Sequence, residues 1–243
     1  MPDARTFLQD PERHALTPPQ CVAALGRIVV LAPHPDDESL GCGGLLALAA
    51  DAGTGPRVVV VTDGARSHDS AAYPPTRLAE LRQSEVRAAA RALGDVEVEC
   101  MGIGDCAVPD PASSEGRAAA SDLADRLAEA DTVVVPWRRD PHCDHEAVWR
   151  LARAAVARLG RPLRWVEYPV WAWEHAATDR APRPGDGRPW RLDICSVLDR
   201  KRRAIAAHAS QTTRLIDDDP DGFILTPAML AHFDRPWELY LDA

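Results

Sequence analysis

The sequence lacks the features that mark membrane, secreted and nucleic-acid-binding proteins. No apolar run approaches the roughly 20 residues that a membrane-spanning helix needs. The first residues do not show the basic-then-apolar pattern of a secretory signal. The net charge is −9, and no long block of lysine and arginine is present. We therefore expect a cytoplasmic protein without membrane insertion or nucleic-acid partner. The short basic cluster at residues 200–203 is interpreted as a solvated helix face.

The sequence also lacks the cysteine spacing of disulfide frameworks and structural zinc sites. Its six cysteines are spread along the chain, and none forms a Cys-x-x-Cys pair. No internal repeat or low-complexity tract is present. What remains is an ordinary globular composition, with 46% hydrophobic and 27% charged residues in a chain of 243. This length fits one larger domain better than two small ones.

Apolar, β-branched runs alternate with Ala- and Leu-rich stretches at helical spacing. This alternation predicts an α/β fold in which a doubly wound, mostly parallel sheet is flanked by helices. The predicted strands cover residues 27–33, 57–62, 96–101, 132–136 and 164–170. The predicted helices cover residues 38–50, 76–93, 116–130 and 146–159.

The two ends of the chain depart from this regular alternation. Residues 1–26 are predicted to be an N-terminal extension, and residues 27–243 a single domain with a C-terminal elaboration from about residue 171. Residues 178–189 are rich in Pro, Gly, Arg and Asp, which predicts an exposed loop. The elaboration is predicted to contain a strand at 192–197, a helix at 198–209 and a final strand at 237–241.

The most informative motif, His34-Pro35-Asp36-Asp37-Glu38, follows the first predicted strand. It therefore lies at the carboxyl end of a strand, where open α/β sheets bind their ligands. Histidine and aspartate together suit zinc or another first-row metal. Adjacent carboxylates do not easily reach the same ion, so one can bind metal while its neighbour handles a proton. This division of roles is typical of hydrolytic metal chemistry.

A second cluster, containing His142, Asp144 and His145, follows the fourth predicted strand. The spacing His-x-x-His is short for two ligands on one helix turn, since metal-binding helices usually carry His-x-x-x-His. One of the two histidines is therefore expected to bind the metal and the other to have a different role. The first and fourth strands are commonly adjacent at the switch point of doubly wound sheets. Both clusters are expected to meet at one ion.

With these motifs in place, the chain resembles the PIG-L/LmbE-like zinc-dependent N-acetylglucosaminyl deacetylases. The resemblance rests on residues 32–38 and 142–145, on an Arg82-x-x-Glu85 pattern that runs to residue 94, and on residues 201–211. It covers about residues 27–211. The two histidine-containing motifs are specific as a pair.

This resemblance implies a Rossmann-like domain that holds one divalent ion through His34, Asp37 and His145. Zn²⁺ is the expected ion, with Fe²⁺ as an alternative. Asp36 would act as the general base, and His142 as the acid that protonates the leaving amine or stabilises the oxyanion. Two histidines and one carboxylate agree with this reading, because they leave an open tetrahedral position for water, as in catalytic zinc sites.

Further residues receive roles by the same resemblance. Asp144 would orient His142 and tune its charge, while Arg82 and Asp105 would contact sugar hydroxyls. The expected function is removal of an N-acetyl or similar N-acyl group from an N-acetylglucosamine-like sugar or glycoconjugate. The expected partner is this small molecule. An acidic chain without an anchor favours a soluble glycoside over a membrane lipid.

Several residues keep two interpretations at this point. Glu38 fits the acidic first turn of a helix, and Cys143 is expected to point away from the two histidines. Arg82 and Glu85 fit either a surface pair or a substrate clamp. The remaining open cases are residues that fit either the site or ordinary packing: Asp63, His68, His208, Ser210, Gln211, Trp137, Trp171, Trp173, Trp190 and Trp237.

Two other functions compete with the deacetylase hypothesis. A metal-containing carbohydrate-binding protein without catalysis would not need Asp36 or His142, yet both are present. A methyltransferase or dinucleotide-binding protein would explain the glycines of residues 41–44. A cofactor loop needs its glycines directly after the strand, whereas these lie inside the next helix and suit close helix–sheet packing.

Overall fold

The computed structural model describes residues 5–242, which contain one eight-stranded sheet and seven α-helices. The strands are β1 (Leu16–Thr17), β2 (Ile28–Ala32), β3 (Arg57–Thr62), β4 (Glu97–Ile103), β5 (Thr132–Pro136), β6 (Arg164–Tyr168), β7 (Arg188–Asp193) and β8 (Trp237–Asp242). The helices are α1 (Asp37–Asp51), α2 (Pro75–Gly94), α3 (Ser114–Leu127), α4 (Cys143–Leu159), α5 (Leu198–Ala207), α6 (Ala209–Thr212) and α7 (Pro227–Ala231).

The strands lie in the order β1-β7-β8-β6-β5-β2-β3-β4. All pairs are parallel except β6 with β8 and β7 with β8. The chain runs from β2 outward through β3 and β4, and then returns to place β5 on the other side of β2. The gap above β2 and β5 is therefore the topological switch point. The predicted α/β class and the adjacency of the first and fourth predicted strands are confirmed.

Helices cover both faces of the sheet. The apolar residues of α1, α2 and α5 pack with one face of the sheet, and those of α3 and α4 pack with the other. The central strands are buried along their whole length, as the five residues of β2 illustrate. Such continuous burial explains why parallel strands appear as unbroken apolar runs. Within residues 5–242, every helix is too short or too polar to span a lipid bilayer.

Most segment bounds shift by a few residues from the predictions. The strand predicted at 192–197 lies at Arg188–Asp193 instead, and Cys195–Val197 form a 3₁₀ helix. Three differences have a clear structural cause. Helix α4 begins at Cys143 rather than at residue 146, because the side chain of His142 caps its first turn. Strand β7 begins at Arg188, inside the predicted loop, and pairs with both β1 and β8. The described part of the N-terminal extension contributes β1 to the sheet and buries Leu8 and Val22 in the core. Residues 1–4 and 243 lie outside the described part of the chain.

The interpretation of residues 200–203 as a solvated helix face is wrong for Lys201, the only lysine in the chain. Lys201 is 1% exposed, and its Nζ lies 2.7 Å from Oε1 of Glu238 on β8. Glu238 also accepts hydrogen bonds from the backbone N–H groups of Gly44 and Leu45 in α1. The C-terminal strand is thereby joined to the helix that starts at the His34 motif.

The glycines of α1 pack against neighbouring elements, as the sequence suggested. A Cβ atom at Gly41 would overlap the ring of Tyr168, and one at Gly44 would overlap the side chain of Ile194. Any larger residue at these positions would push α1 away from the sheet.

Candidate functional site

A cleft of about 400 Å³ opens at the carboxyl ends of β2 and β5. Its lining brings together residues from the two predicted motifs, from the segments around residues 66, 105, 171 and 223, and from helices α2 and α6. Those lining residues include His34, Asp36, Asp37, Asp105, His142 and Trp171. The switch point of the sheet therefore brings together the carboxyl groups of Asp36, Asp37 and Asp105 and the imidazoles of His34 and His142.

Asp37 lies between two imidazole rings in this cleft. Its Oδ2 atom is 3.3 Å from Nδ1 of His34 and 3.2 Å from Nε2 of His145. The same oxygen accepts a hydrogen bond from the backbone N–H of His34. Burial raises the pKa of Asp37, but the charges and hydrogen bonds of His145 and His34 outweigh burial and hold the pKa well below its usual value. The carboxylate therefore stays ionised.

The opposite nitrogen of each ring faces another carboxylate. Nε2 of His34 lies 3.0 Å from Oδ2 of Asp144 and 3.5 Å from Oδ1 of Asp105. Nδ1 of His145 lies 3.7 Å from Oδ2 of Asp140, which is fully buried and accepts two backbone hydrogen bonds. A carboxylate behind a histidine is the usual arrangement around metal-binding imidazoles. Asp140 was not singled out in the sequence, because a buried carboxylate on a loop has no periodic signal.

The donor set fits a divalent metal ion. His34, His142 and His145 each offer a nitrogen atom, and these atoms lie within 4.8 Å of one another. Both ring nitrogens of the buried His145 lack a hydrogen-bond partner of good geometry within residues 5–242. Burial opposes protonation of His145, yet the charge of Asp37 raises its pKa to about 9. The site thus attracts positive charge, which a cation supplies.

Asp36 adopts a strained backbone conformation beside this group, with a φ angle of +149°. Its N–H donates to Oε2 of Glu38, and its Oδ2 atom accepts a hydrogen bond of 3.1 Å from Nη2 of Arg82. Burial raises the pKa of Asp36 to about 6, although the charge of Arg82 opposes this shift. Asp36 is therefore a carboxylate poised to exchange a proton near neutral pH.

The surface-pair interpretation of Arg82 and Glu85 is wrong, since both side chains are buried. Arg82 donates to the carbonyl oxygens of Gly64 and Pro35 as well as to Asp36. Glu85 accepts hydrogen bonds from the backbone and hydroxyl of Ser210. Arg82 does line the cleft, and its contact with Asp36 assigns it a positioning role that the sequence did not suggest.

His142 is the N-cap residue of α4, which fixes the orientation of its ring. Its Nδ1 atom accepts a hydrogen bond of 3.2 Å from the backbone N–H of Asp144. Burial, together with the neighbouring His34 and His145, lowers the pKa of His142. A neutral ring that accepts at Nδ1 carries its proton on Nε2. His142 therefore has a hydrogen-bond donor available on the side away from the helix.

The structure gives Asp144 different contacts from those that the resemblance implied. Its carboxylate contacts His34, and it accepts a hydrogen bond of 2.8 Å from the backbone N–H of Cys106. Only its backbone N–H reaches His142. The reason is the early start of α4, which places Asp144 inside the first turn with its side chain toward β2.

Aromatic residues form part of the cleft wall. Trp171, which follows β6, lies with its ring centroid 6.5 Å from that of His142 and 5.5 Å from that of Phe223. Phe223 comes from a C-terminal loop that has no sequence signal. The other tryptophans named above belong to the hydrophobic core: Trp137, Trp173, Trp190 and Trp237.

The remaining open residues divide between the site and its surroundings. His208 is buried, with Nε2 at 3.0 Å from Oε1 of Glu38, so both support Asp36 from behind. Gln211 lines the cleft, whereas His68 is buried beside it and contacts Ser67. Asp63 accepts hydrogen bonds from the backbone of residues 65 and 105. Cys143 is exposed, but the expectation that it points away from both histidines is wrong for His142, because its Sγ lies 4.0 Å from Nδ1 of that ring.

Known proteins are similar to this chain in sequence and in fold. The chain is 32% identical over 206 residues to the 2'-N-acetylparomamine deacetylase of Streptomyces fradiae, covering 77% of this chain and 74% of that protein. It is 25% identical to a probable N-acetyl-alpha-D-glucosaminyl L-malate deacetylase 2 of Bacillus cereus, covering 79% and 86%. The crystal structure of GalB, the 4-carboxy-2-hydroxymuconate hydratase of Pseudomonas putida KT2440, superposes with a TM-score of 0.60 at 26% identity, covering 76% and 80%.

A family match covers both histidine motifs. Residues 29–156 match the PIG-L family, which is described as GlcNAc-PI de-N-acetylase. These residues span the sheet from β2 to α4 and include all of His34, Asp36, Asp37, His142 and His145. The resemblance inferred from the motifs is confirmed, and the chain belongs to the PIG-L family.

Proposed function

We propose that this protein hydrolyses the N-acetyl amide of an amino sugar or a soluble glycoside of one, in a metal-dependent reaction. The observation that carries this proposal is the contact of Oδ2 of Asp37 with both His34 and His145. His34, Asp36, Asp37 and His142 line the cleft there, and His145 lies buried behind Asp37. Both curated relatives described above are named as deacetylases of N-acetylated sugar compounds.

His34, Asp37 and His145 would hold the ion, which we propose to be Zn²⁺, with Fe²⁺ as the alternative. Their mutual contacts through Oδ2 of Asp37 support this set, as do the carboxylates of Asp144 and Asp140 on the outer ring nitrogens. A bound divalent ion lowers the pKa of water to about 7 and polarises an amide carbonyl.

Asp36 would take the proton from the attacking water. Its pKa of about 6 leaves it ionised at neutral pH and still basic enough to accept a proton. Its hydrogen bond with Arg82 occupies Oδ2 and holds the carboxylate in one orientation at the cleft. Glu38 holds the backbone of Asp36 from the other side.

His142 would protonate the departing amine. Amide hydrolysis needs this step because an unprotonated amine is a poor leaving group. In the neutral ring, whose Nδ1 accepts from the backbone of Asp144, Nε2 carries the hydrogen that would stabilise the oxyanion. Protonation of the amine would need a second proton on this ring. Trp171 would offer its ring face to the sugar, and Asp105, which also lines the cleft, would accept hydrogen bonds from sugar hydroxyls.

Turnover of a panel of N-acetylated amino sugars and glycosides by Zn²⁺-loaded protein tests this function. We expect acetate release, with kcat lowered about 10²- to 10⁴-fold in Asp36→Asn and in His142→Gln. The exposed Asp69→Asn serves as the matched control and should retain wild-type kcat. Asp37→Asn should lose bound metal in elemental analysis.

Two outcomes contradict the proposal. The first is acetate release at the wild-type rate in Asp36→Asn and His142→Gln. The second is hydration of 4-carboxy-2-hydroxymuconate, the reaction named for the Pseudomonas relative, without acetate release from any member of the panel.

A further inference from the structure

Two thiols lie together at the rim of the cleft, outside the proposed catalytic group. Cys106 follows β4 and Cys143 is the first residue of α4, and both are exposed. Their Sγ atoms are 3.7 Å apart. All six cysteines of the chain lie within residues 5–242 and are free in the structure. Nothing in the proposed reaction uses this pair.

The separation of the two sulfur atoms suits a shared metal ion. Zinc binds thiolate sulfur at about 2.3 Å with tetrahedral angles, so two sulfurs on one ion are about 3.8 Å apart. A disulfide would need about 2.05 Å between them. The observed separation of 3.7 Å agrees with chelation of one ion by both sulfur atoms.

A carboxylate supplies a third donor. Sγ of Cys106, Sγ of Cys143 and a carboxylate oxygen of Asp144 all lie within 4.8 Å of one another. Cys106 has a φ angle of +58°, and its N–H donates to Asp144. This left-handed conformation places the thiol and the carboxylate on the same side of the loop. Two thiolates and one carboxylate form a set for a soft or borderline cation.

We propose that Cys106, Cys143 and Asp144 form a second cation site, which takes a thiophilic divalent ion such as Zn²⁺ in excess or Cd²⁺, and that its occupation inhibits turnover. The exposure of both thiols gives an ion direct access from solvent. The binding is independent of the proposed deacetylase function, whereas the inhibition rests on it.

The connection to catalysis runs through shared residues. Asp144 also accepts a hydrogen bond from Nε2 of His34, so an ion that recruits its carboxylate weakens the support of a proposed metal ligand. Sγ of Cys143 lies 4.0 Å from Nδ1 of His142. An ion bound to Cys143 would therefore lie beside the ring of His142, which lines the cleft.

Binding is tested by titrating Cd²⁺ into reduced protein whose first site is already loaded with one equivalent of Zn²⁺. We expect the ultraviolet thiolate-to-cadmium charge-transfer band to saturate at one further equivalent in the wild type. Cys106→Ser and Cys143→Ser should each raise the dissociation constant by at least about 10-fold, because each removes a direct ligand. Cys21→Ser and Cys195→Ser, which alter other exposed thiols, should leave the titration unchanged.

Inhibition is measured as the ratio of turnover with and without excess Zn²⁺ in each variant. In the wild type we expect turnover with excess Zn²⁺ to be about one tenth of turnover without it. In Cys143→Ser the two rates should be nearly equal. Equal charge-transfer bands in the wild type and in both site variants would overturn the proposed site. Saturable Cd²⁺ binding with unchanged turnover would overturn the proposed inhibition and leave the deacetylase proposal intact. If the protein shows no deacetylase activity at all, the charge-transfer titration still decides whether the cation site exists.

Discussion

Asp36, the proposed base, has a backbone conformation that a non-glycine residue rarely adopts, and its neighbours stabilise it. A non-glycine residue at a φ angle of +149° costs of the order of 1–3 kcal/mol, so the surroundings must impose it. Glu38 holds its N–H and Arg82 holds its carboxylate. His208 holds Glu38 in turn. The proposed base is thus positioned by a chain of buried polar contacts.

Substitution of Arg82 tests this support at the residue level. Arg82→Gln removes the charge that faces Asp36 and three hydrogen bonds. We expect kcat to fall at least about 10-fold with a smaller change in KM, and the free energy of unfolding to fall by about 3 kcal/mol, because a buried charge pair is broken. Steady-state kinetics and urea unfolding measure both quantities.

Arg91→Gln on the exposed face of the same helix is the matched control and should change neither quantity. If KM rises strongly in Arg82→Gln while kcat is preserved, Arg82 binds substrate, as the family resemblance implied, and does not position Asp36.

His208 predicts a pH dependence of stability. Burial disfavours its protonation, but the charge of Glu38 outweighs burial and raises the pKa of His208 above the usual 6.5. A raised pKa in the folded state means that this stabilisation is fully present below about pH 6.5 and is lost as pH rises through the folded-state value. We expect His208→Asn to reduce the free energy of unfolding most at low pH.

Urea unfolding of both proteins between about pH 5.5 and about pH 9 measures this difference. The exposed His175→Asn is the control. A difference between wild type and His208→Asn that grows with pH would show the opposite sign and contradict the ion pair with Glu38.

At the level of elements, α4 combines a structural and a proposed catalytic role in its cap. His142 satisfies a backbone N–H of the first turn and presents the other side of its ring to the cleft. The sequence predicted this helix from its apolar spacing but placed its start at residue 146. Histidine is not a preferred capping residue, so only the folded geometry reveals the cap.

Two substitutions at His142 separate these roles. His142→Ala should lower the free energy of unfolding by about 1 kcal/mol and reduce kcat, because both cap and proton donor are lost. His142→Asn should restore most of the stability, since asparagine caps helices well, without restoring kcat. Thermal unfolding and turnover are measured together. Recovery of kcat in His142→Asn would contradict the proposal that His142 acts as the proton donor.

At the level of the whole molecule, Glu238 joins two elements of the C-terminal elaboration, α5 and β8, to helix α1. Lys201 on α5 and Glu238 on β8 are both almost completely buried, and Glu238 also binds the backbone of α1. Tyr240 donates a further hydrogen bond of 2.7 Å to Glu238. The last strand therefore stabilises the helix that begins at Asp37.

A double-mutant cycle on Lys201→Met and Glu238→Gln tests this coupling. Each single change should cost about 3–5 kcal/mol, because it leaves one buried group without its partner. The double variant should be less destabilised than the sum of the two. Urea unfolding followed by circular dichroism gives the energies. Strict additivity would mean that the pair does not couple the C-terminal strand to α5.

The sequence by itself determined the class of fold, the two motifs and the family, because buried parallel strands leave unbroken apolar runs and the motifs are local. It identified His34, Asp37 and His145 as a candidate metal set without showing that they touch. Only the tertiary structure decided how the groups are paired. The contacts of Asp144 with His34, Arg82 with Asp36 and Lys201 with Glu238 join residues between 37 and 110 positions apart. Such contacts depend on the order of the strands in the sheet and on the residue at which each helix begins. Local residue patterns determine neither of these.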